Sequence, residues 1–196
     1  MQLGIVVKSF LRINAELRTT MVTTQLRRQG RHLPPSPSQR ISRPVLLIDD
    51  QRSLSDMLAS MLHTKWGCPT VIAASLSEAR QALDAQGKDF IAAVCDLNLP
   101  DAPFGEAIDL VSRYAIPAIA LTGTVTQDVR TLASQGNIVD YVLKKGMVSY
   151  DYVVQLVGRL HRNTRIKVLV ADDSAASREV IKRMLSIQGL TVLLAQ

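Results

Sequence analysis

The chain has 196 residues, is 47% apolar and carries a formal net charge of +6. That length allows one or two packed domains, and no run of 18 uncharged apolar residues is present to cross a membrane as a helix. The charge is uneven: residues 1–44 hold eight Lys/Arg and one acid, whereas the remaining 152 hold 15 basic and 16 acidic side chains, so a nucleic-acid-binding core gains no support.

The basic arm, residues 1–44, reads as largely disordered. Ile5, Phe10, Ile13, Leu17 and Met21 make a weak basic amphipathic helix within residues 3–28. Residues 29–44, with Pro34, Pro35, Pro37 and Pro44, read as a linker. No apolar stretch followed by a small-residue cleavage site marks a secretory signal.

From residue 45 onward, short apolar runs alternate with helical patterns. Val45 to Ile48, Thr70 to Ala74, Ile91 to Cys95, Ala118 to Leu121 and Val139 to Leu143 are near-continuous runs, as strands covered on both faces require. Between them, Leu54, Met57, Leu58, Met61 and Leu62 form one helical stripe within residues 53–66. Ser75 and Glu78 are spaced as a capping box for a helix reaching Leu83. Phe104 to Tyr114, Val125 to Gln135 and Ser149 to His161 supply three more helices. Five strand–helix units joined by right-handed crossovers predict an α/β fold: a doubly wound, five-stranded parallel sheet, flavodoxin-like, in the order 2-1-3-4-5. After a link at Arg162 to Arg165 the period restarts, with a strand at Ile166 to Ala171, a helix at Ser174 to Gln188 and a strand at Leu190 to Ala195. Cys68 and Cys95 have no ligand spacing and read as buried, reduced thiols.

The chemistry-bearing residues fall at strand ends. Asp49 and Asp50 follow the first strand, and Asp96 follows the third, its predicted neighbour. Carboxyl ends of strands line the ligand crevice of an open α/β sheet, so three carboxylates converge there. Uncompensated, they would raise one another's pKa values. A hard divalent cation such as Mg²⁺ is the simplest partner, leaving one carboxylate as a nucleophile toward phosphorus. The fourth strand ends at Thr122 and the fifth at Lys144, a hydroxyl and an ammonium suited to phosphoryl oxygens. No GxGxxG or GxxxxGK follows the first strand, which disfavours dinucleotide and nucleoside-triphosphate binding.

Residues 45–161 resemble the receiver domain of two-component response regulators. The motifs that carry the resemblance are LLIDD (46–50), CDLNLPD (95–101), ALTGT (120–124) and DYVLKKG (140–146). It implies Asp96 as phosphoacceptor, and Asp49, Asp50 and the backbone carbonyl of Asn98 as Mg²⁺ ligands beside it. It implies Thr122 as switch hydroxyl, Tyr141 as switch aromatic and Lys144 as the lysine that holds a phosphoryl oxygen. In the family a proline follows that lysine, in a cis peptide bond. Here Lys145 stands there, and a non-proline cis bond costs about 2.5–4 kcal/mol, so the shape of that turn is in question.

The resemblance also implies a cytoplasmic, bacterial signalling protein, not an enzyme in its own right. It would take a phosphoryl group from a histidine kinase or histidine phosphotransfer protein. It would then reshape the face of the fourth helix, fifth strand and fifth helix, the place for a homodimer or docked partner. Residues 45–163 are expected to be a complete receiver. Residues 164–196 resemble the opening of a second one, with Asp172 and Asp173 as its acid pair, and a diguanylate cyclase output further on is one such arrangement. Two rivals stand beside the switch. One is a receiver-like scaffold that is never phosphorylated. The other is a Mg²⁺-dependent phosphohydrolase, which wants a second acid two residues after the nucleophile, where this chain has Asn98.

Overall fold

The computed structural model describes residues 40–123 and 138–196. The basic amphipathic stretch, most of the proline-rich linker and the expected helix at Val125 to Gln135 lie outside them. The described residues ahead of the first strand are anchored to the fold. Ile41 is buried and its N–H donates to the Trp66 carbonyl, while Arg43 donates to the carbonyls of Asp89 and Phe90.

Five strands, β1 (Val45–Ile48), β2 (Thr70–Ala73), β3 (Ala92–Asp96), β4 (Ala118–Thr122) and β5 (Ile138–Leu143), pair in parallel in the order β2-β1-β3-β4-β5. This is the expected topology. All four β1 side chains are buried because both faces are covered. Val45 and Leu47 join one core cluster with α1 (Arg52–Trp66) and α4 (Met147–Asn163), whereas Leu46 and Ile48 join the other with α2 (Leu76–Gln86) and α3 (Glu106–Arg113).

The helices depart from expectation in detail. In α1 the buried stripe is Leu54, Leu58 and Leu62, with Met57 and Met61 only half-buried. Ser75 accepts from the Glu78 N–H as a capping box requires, but Glu78 reaches back to the N–H of Ala74. Asp101, from the loop after β3, also caps this helix by accepting from Leu76 and Ser77. Helix α3 starts at Glu106 rather than Phe104, because Gly105 takes φ 83° as its cap and leaves Phe104 79% exposed. The α1–α4 packing is close. Trp66 donates to the Val154 carbonyl, and a Cβ on Gly158 would stand 2.4 Å from the indole ring.

Beyond Asn163 a tight turn leads into β6 (Lys167–Ala171), α5 (Ala175–Ile187) and β7 (Thr191–Ala195), with β6 and β7 paired in parallel as a separate two-stranded sheet. Ser174 caps α5 by accepting from the Ser177 N–H. No described helix is long and apolar enough to cross a membrane.

Candidate functional site

The site follows from strand register. Ile48 is level with Cys95 and Asp96 with Leu121, while Thr122 is level with Leu143. Asp49, Asp96, Thr122 and Lys144 therefore stand at the carboxyl ends of four adjacent strands. Asp49, Asp96 and Thr122 are buried, and Asp50 is exposed.

Lys144 ties the group together. Its Nζ lies 2.8 Å from Asp49 Oδ2 and 2.6 Å from Asp96 Oδ2. The other oxygen of each carboxylate accepts a main-chain N–H two residues on: Asp49 Oδ1 from Gln51 at 2.9 Å, and Asp96 Oδ1 from Asn98 at 3.1 Å. Burial holds the Asp49 carboxyl above its ordinary pKa, against the lowering pull of Lys144 and the Gln51 N–H. Burial also pulls the Lys144 ammonium down, but its bonds to Asp49 and Asp96 outweigh this and its pKa is raised.

Carboxylate oxygens of Asp49, Asp50 and Asp96 all lie within 4.8 Å of one another. Ionised, three acids and one ammonium sum to −2, and every donor is a hard oxygen. That set fits Mg²⁺ better than a thiolate- or imidazole-seeking metal.

The remaining expected residues are placed as follows. Tyr141 is level with Ala120 and half-buried, and its hydroxyl has no partner among the described residues. Burial pushes its pKa up to about 12, and such an orphaned hydroxyl costs about 1–3 kcal/mol. Asn98 is exposed. The peptide between Lys144 and Lys145 is trans, as are all described peptide bonds. The Lys145 N–H is taken up by the Leu143 carbonyl at 2.8 Å, so the turn closes without the family's cis bond and Lys144 still reaches both acids. Asp172 and Asp173 are not brought to this cluster. Asp172 accepts the Ser174 N–H, repeating the Asp49 arrangement, while Arg178 donates to the Asp172 carbonyl. No third carboxylate joins them among the described residues.

Both cysteines are buried, and burial raises both thiols, Cys68 to about 12. Two structural residues escaped the sequence reading, the Asp101 cap and Gln188, because their partners are set by tertiary contact and no local pattern announces them.

No family model and no curated protein matches the chain. Solved structures do. Two described as two-component system response regulator/GGDEF domain proteins are 34% identical over 79% of this chain, with TM-scores of 0.69 and 0.67. The chain spans 62% of the length of each. A Francisella response regulator receiver domain shares the fold at 19% identity and TM-score 0.54, over 63% of this chain and 100% of that one. A 2-1-3-4-5 sheet with acids, hydroxyl and ammonium at its carboxyl edge is the architecture of a receiver. The chain has the fold of its structural neighbours, which are receiver domains of two-component response regulators.

Proposed function

We propose that this chain is a phosphorylation-controlled switch of a two-component phosphorelay, with Asp96 as phosphoacceptor. The observation that carries the reading is Lys144 bridging Asp49 and Asp96 at 2.8 and 2.6 Å, since it fixes an ammonium beside the carboxylate that would be modified. An Asp96 oxygen attacks the phosphorus of a phosphohistidine on a histidine kinase or phosphotransfer protein. A P–O bond forms, the P–N bond breaks, and the electron pair returns to the imidazole nitrogen. Asp49, Asp50, Asp96 and the Asn98 carbonyl would hold Mg²⁺, which neutralises phosphoryl charge when bound. Lys144 would hold one phosphoryl oxygen and Thr122 would turn toward another. Tyr141, whose buried hydroxyl has no partner among the described residues, would move as Thr122 does. The strand and helix that carry it, with the helix expected at residues 125–135, would then present an altered face to a second copy or an output domain.

Residues 45–163 would be the complete receiver and residues 164–196 the start of a second. The repeat of strand, acid pair, helix and strand supports this, as do Leu169 and Leu193, register partners that stay 65% and 51% exposed. The GGDEF name of the two 34%-identical structures supports a diguanylate cyclase output in the whole protein.

Incubation with Mg²⁺ and acetyl phosphate tests the reading. One alkali-labile adduct per chain, absent from Asp96→Asn, is expected. No adduct would support the scaffold, and rapid multiple turnover would support a phosphohydrolase.

A further inference from the structure

The second unit touches the first through the corner Ile187–Gln188–Gly189. Gln188 is central: its Nε2 donates to the Val139 carbonyl at 3.2 Å and its Oε1 accepts from Arg159 at 3.1 Å. Its own carbonyl accepts from Asn163 Nδ2 at 2.7 Å. Ile187 packs against the core cluster that contains Val139 and Leu160. Gly189 takes φ 79°, and a Cβ there would stand 3.2 Å from the Leu160 carbonyl.

Val139 is a telling acceptor. Ile138 pairs with Ala118 and Asp140 with Ile119, so Val139 is the extra residue of a bulge in β5, an edge strand. A bulged residue falls out of the ladder and its carbonyl needs another partner. Gln188 supplies it from the second unit. Along the same strand, Asp140 accepts from the Tyr152 hydroxyl and the Tyr141 N–H, and just past its end Lys144 holds Asp49 and Asp96. One strand thus runs from the acid cluster to the Gln188 contact. Beside the corner lies a cavity of about 250 Å³ lined by Phe90, Tyr114, Ile116, Leu160, Thr164 and Gly189, room to shift that a close-packed junction would lack.

The structure assigns the Ile187–Gln188–Gly189 corner a second role, as a coupling contact through which the acid cluster and the placement of residues 164–196 bias each other. That coupling rests on the phosphoryl chemistry proposed for Asp96. In the arrangement described, Lys144 holds both carboxylates while Gln188 holds Val139. A phosphoryl group on Asp96, or a mimic beside it, redirects Lys144 to its own oxygens, displaces β5 and weakens the Gln188–Val139 bond. Linkage is reciprocal, so removing that bond favours the ligand.

Calorimetry of the full chain with beryllofluoride in saturating Mg²⁺ tests this. Gln188→Ala removes both side-chain arms. Gln188→Glu keeps an acceptor for Arg159 but loses the donor to Val139. Both variants should bind about 3- to 5-fold tighter than the parent. In the parent, the ligand should speed amide exchange at Leu190 and Thr191 by a similar factor. Fluorescence of Trp66, the sole tryptophan, checks that α1 stays packed on α4. Unchanged or weaker binding in both variants overturns the coupling, and tighter binding in Gln188→Ala alone overturns the route through Val139. No binding by the parent chain would strike the proposed function itself, and the coupling with it.

Discussion

The chain contains nearly the same β-α-β unit twice, in two different situations. Residues 45–73 and 167–195 each run strand, two aspartates, helix, parallel strand, and in each the first aspartate accepts the N–H two residues on. Yet Leu46 is fully buried, while Leu169 at the matching place in β6 is 65% exposed. Every residue of β1 is buried, but only Val170 is buried in the whole second unit. Local pattern is enough to specify strands, helix and turn. Burial comes from the strands and helices that pack on both sides, and so does chemistry. Asp49 and Asp50 become part of a candidate site because β3 brings Asp96 beside them and the end of β5 brings Lys144. Asp172 and Asp173 have neither.

The contrast is easiest to break at its most buried point. Leu46→Ala should cost about 2–5 kcal/mol in urea unfolding, while Leu169→Ala should stay within about 0.5 kcal/mol. Equal losses would mean that Leu169 is covered in solution. Helix anchoring comes next. Gly158→Ala would drive a methyl into the Trp66 ring, an overpacking cost of about 1–3 kcal/mol that exceeds the roughly 1 kcal/mol gained in helix propensity. Its signature is a shifted Trp66 emission, and no shift would show that the ring yields freely.

The acid pairs should separate in Mg²⁺ titrations. Asp49→Asn should weaken binding about tenfold or more, and Asp172→Asn should leave it unchanged. A comparable loss in both would relocate the cation site. The last contrast, silent at neutral pH, concerns the thiols, which only the first unit carries. Folding raises the Cys68 thiol from its ordinary 9.0 to about 12. Below pH 9 the thiol is protonated in both the folded and the unfolded chain, so this difference costs nothing. Above that the unfolded chain releases its proton first, so stability should decline from pH 9 to about 12. Cys68→Ala should flatten that part of the profile, and an unaltered slope would assign the decline to other groups.

Much of the first unit was legible because burial on both faces leaves continuous apolar runs, as at Val45–Ile48 and Ala92–Cys95. The convergence of Asp49, Asp50, Asp96 and Lys144 was legible for a related reason, since strand ends are visible in sequence and topology places them together. What escaped was decided by backbone conformation or by distant partners. Gly105 shortens α3 by taking a left-handed cap, and Asp101 caps α2 from 25 residues away. The bulge that hands the Val139 carbonyl to Gln188 leaves no mark in the alternation of β5. Lys145 raised a doubt that the trans turn answers through the position of Lys144.

The most direct test is to trap the adduct formed with acetyl phosphate and Mg²⁺ by borohydride reduction and locate it by peptide mass spectrometry. The modification should fall on Asp96 alone, vanish in Asp96→Asn and spare Asp172 and Asp173. Label that persists in Asp96→Asn, or that lies in residues 164–196, would contradict the assignment of the acid cluster.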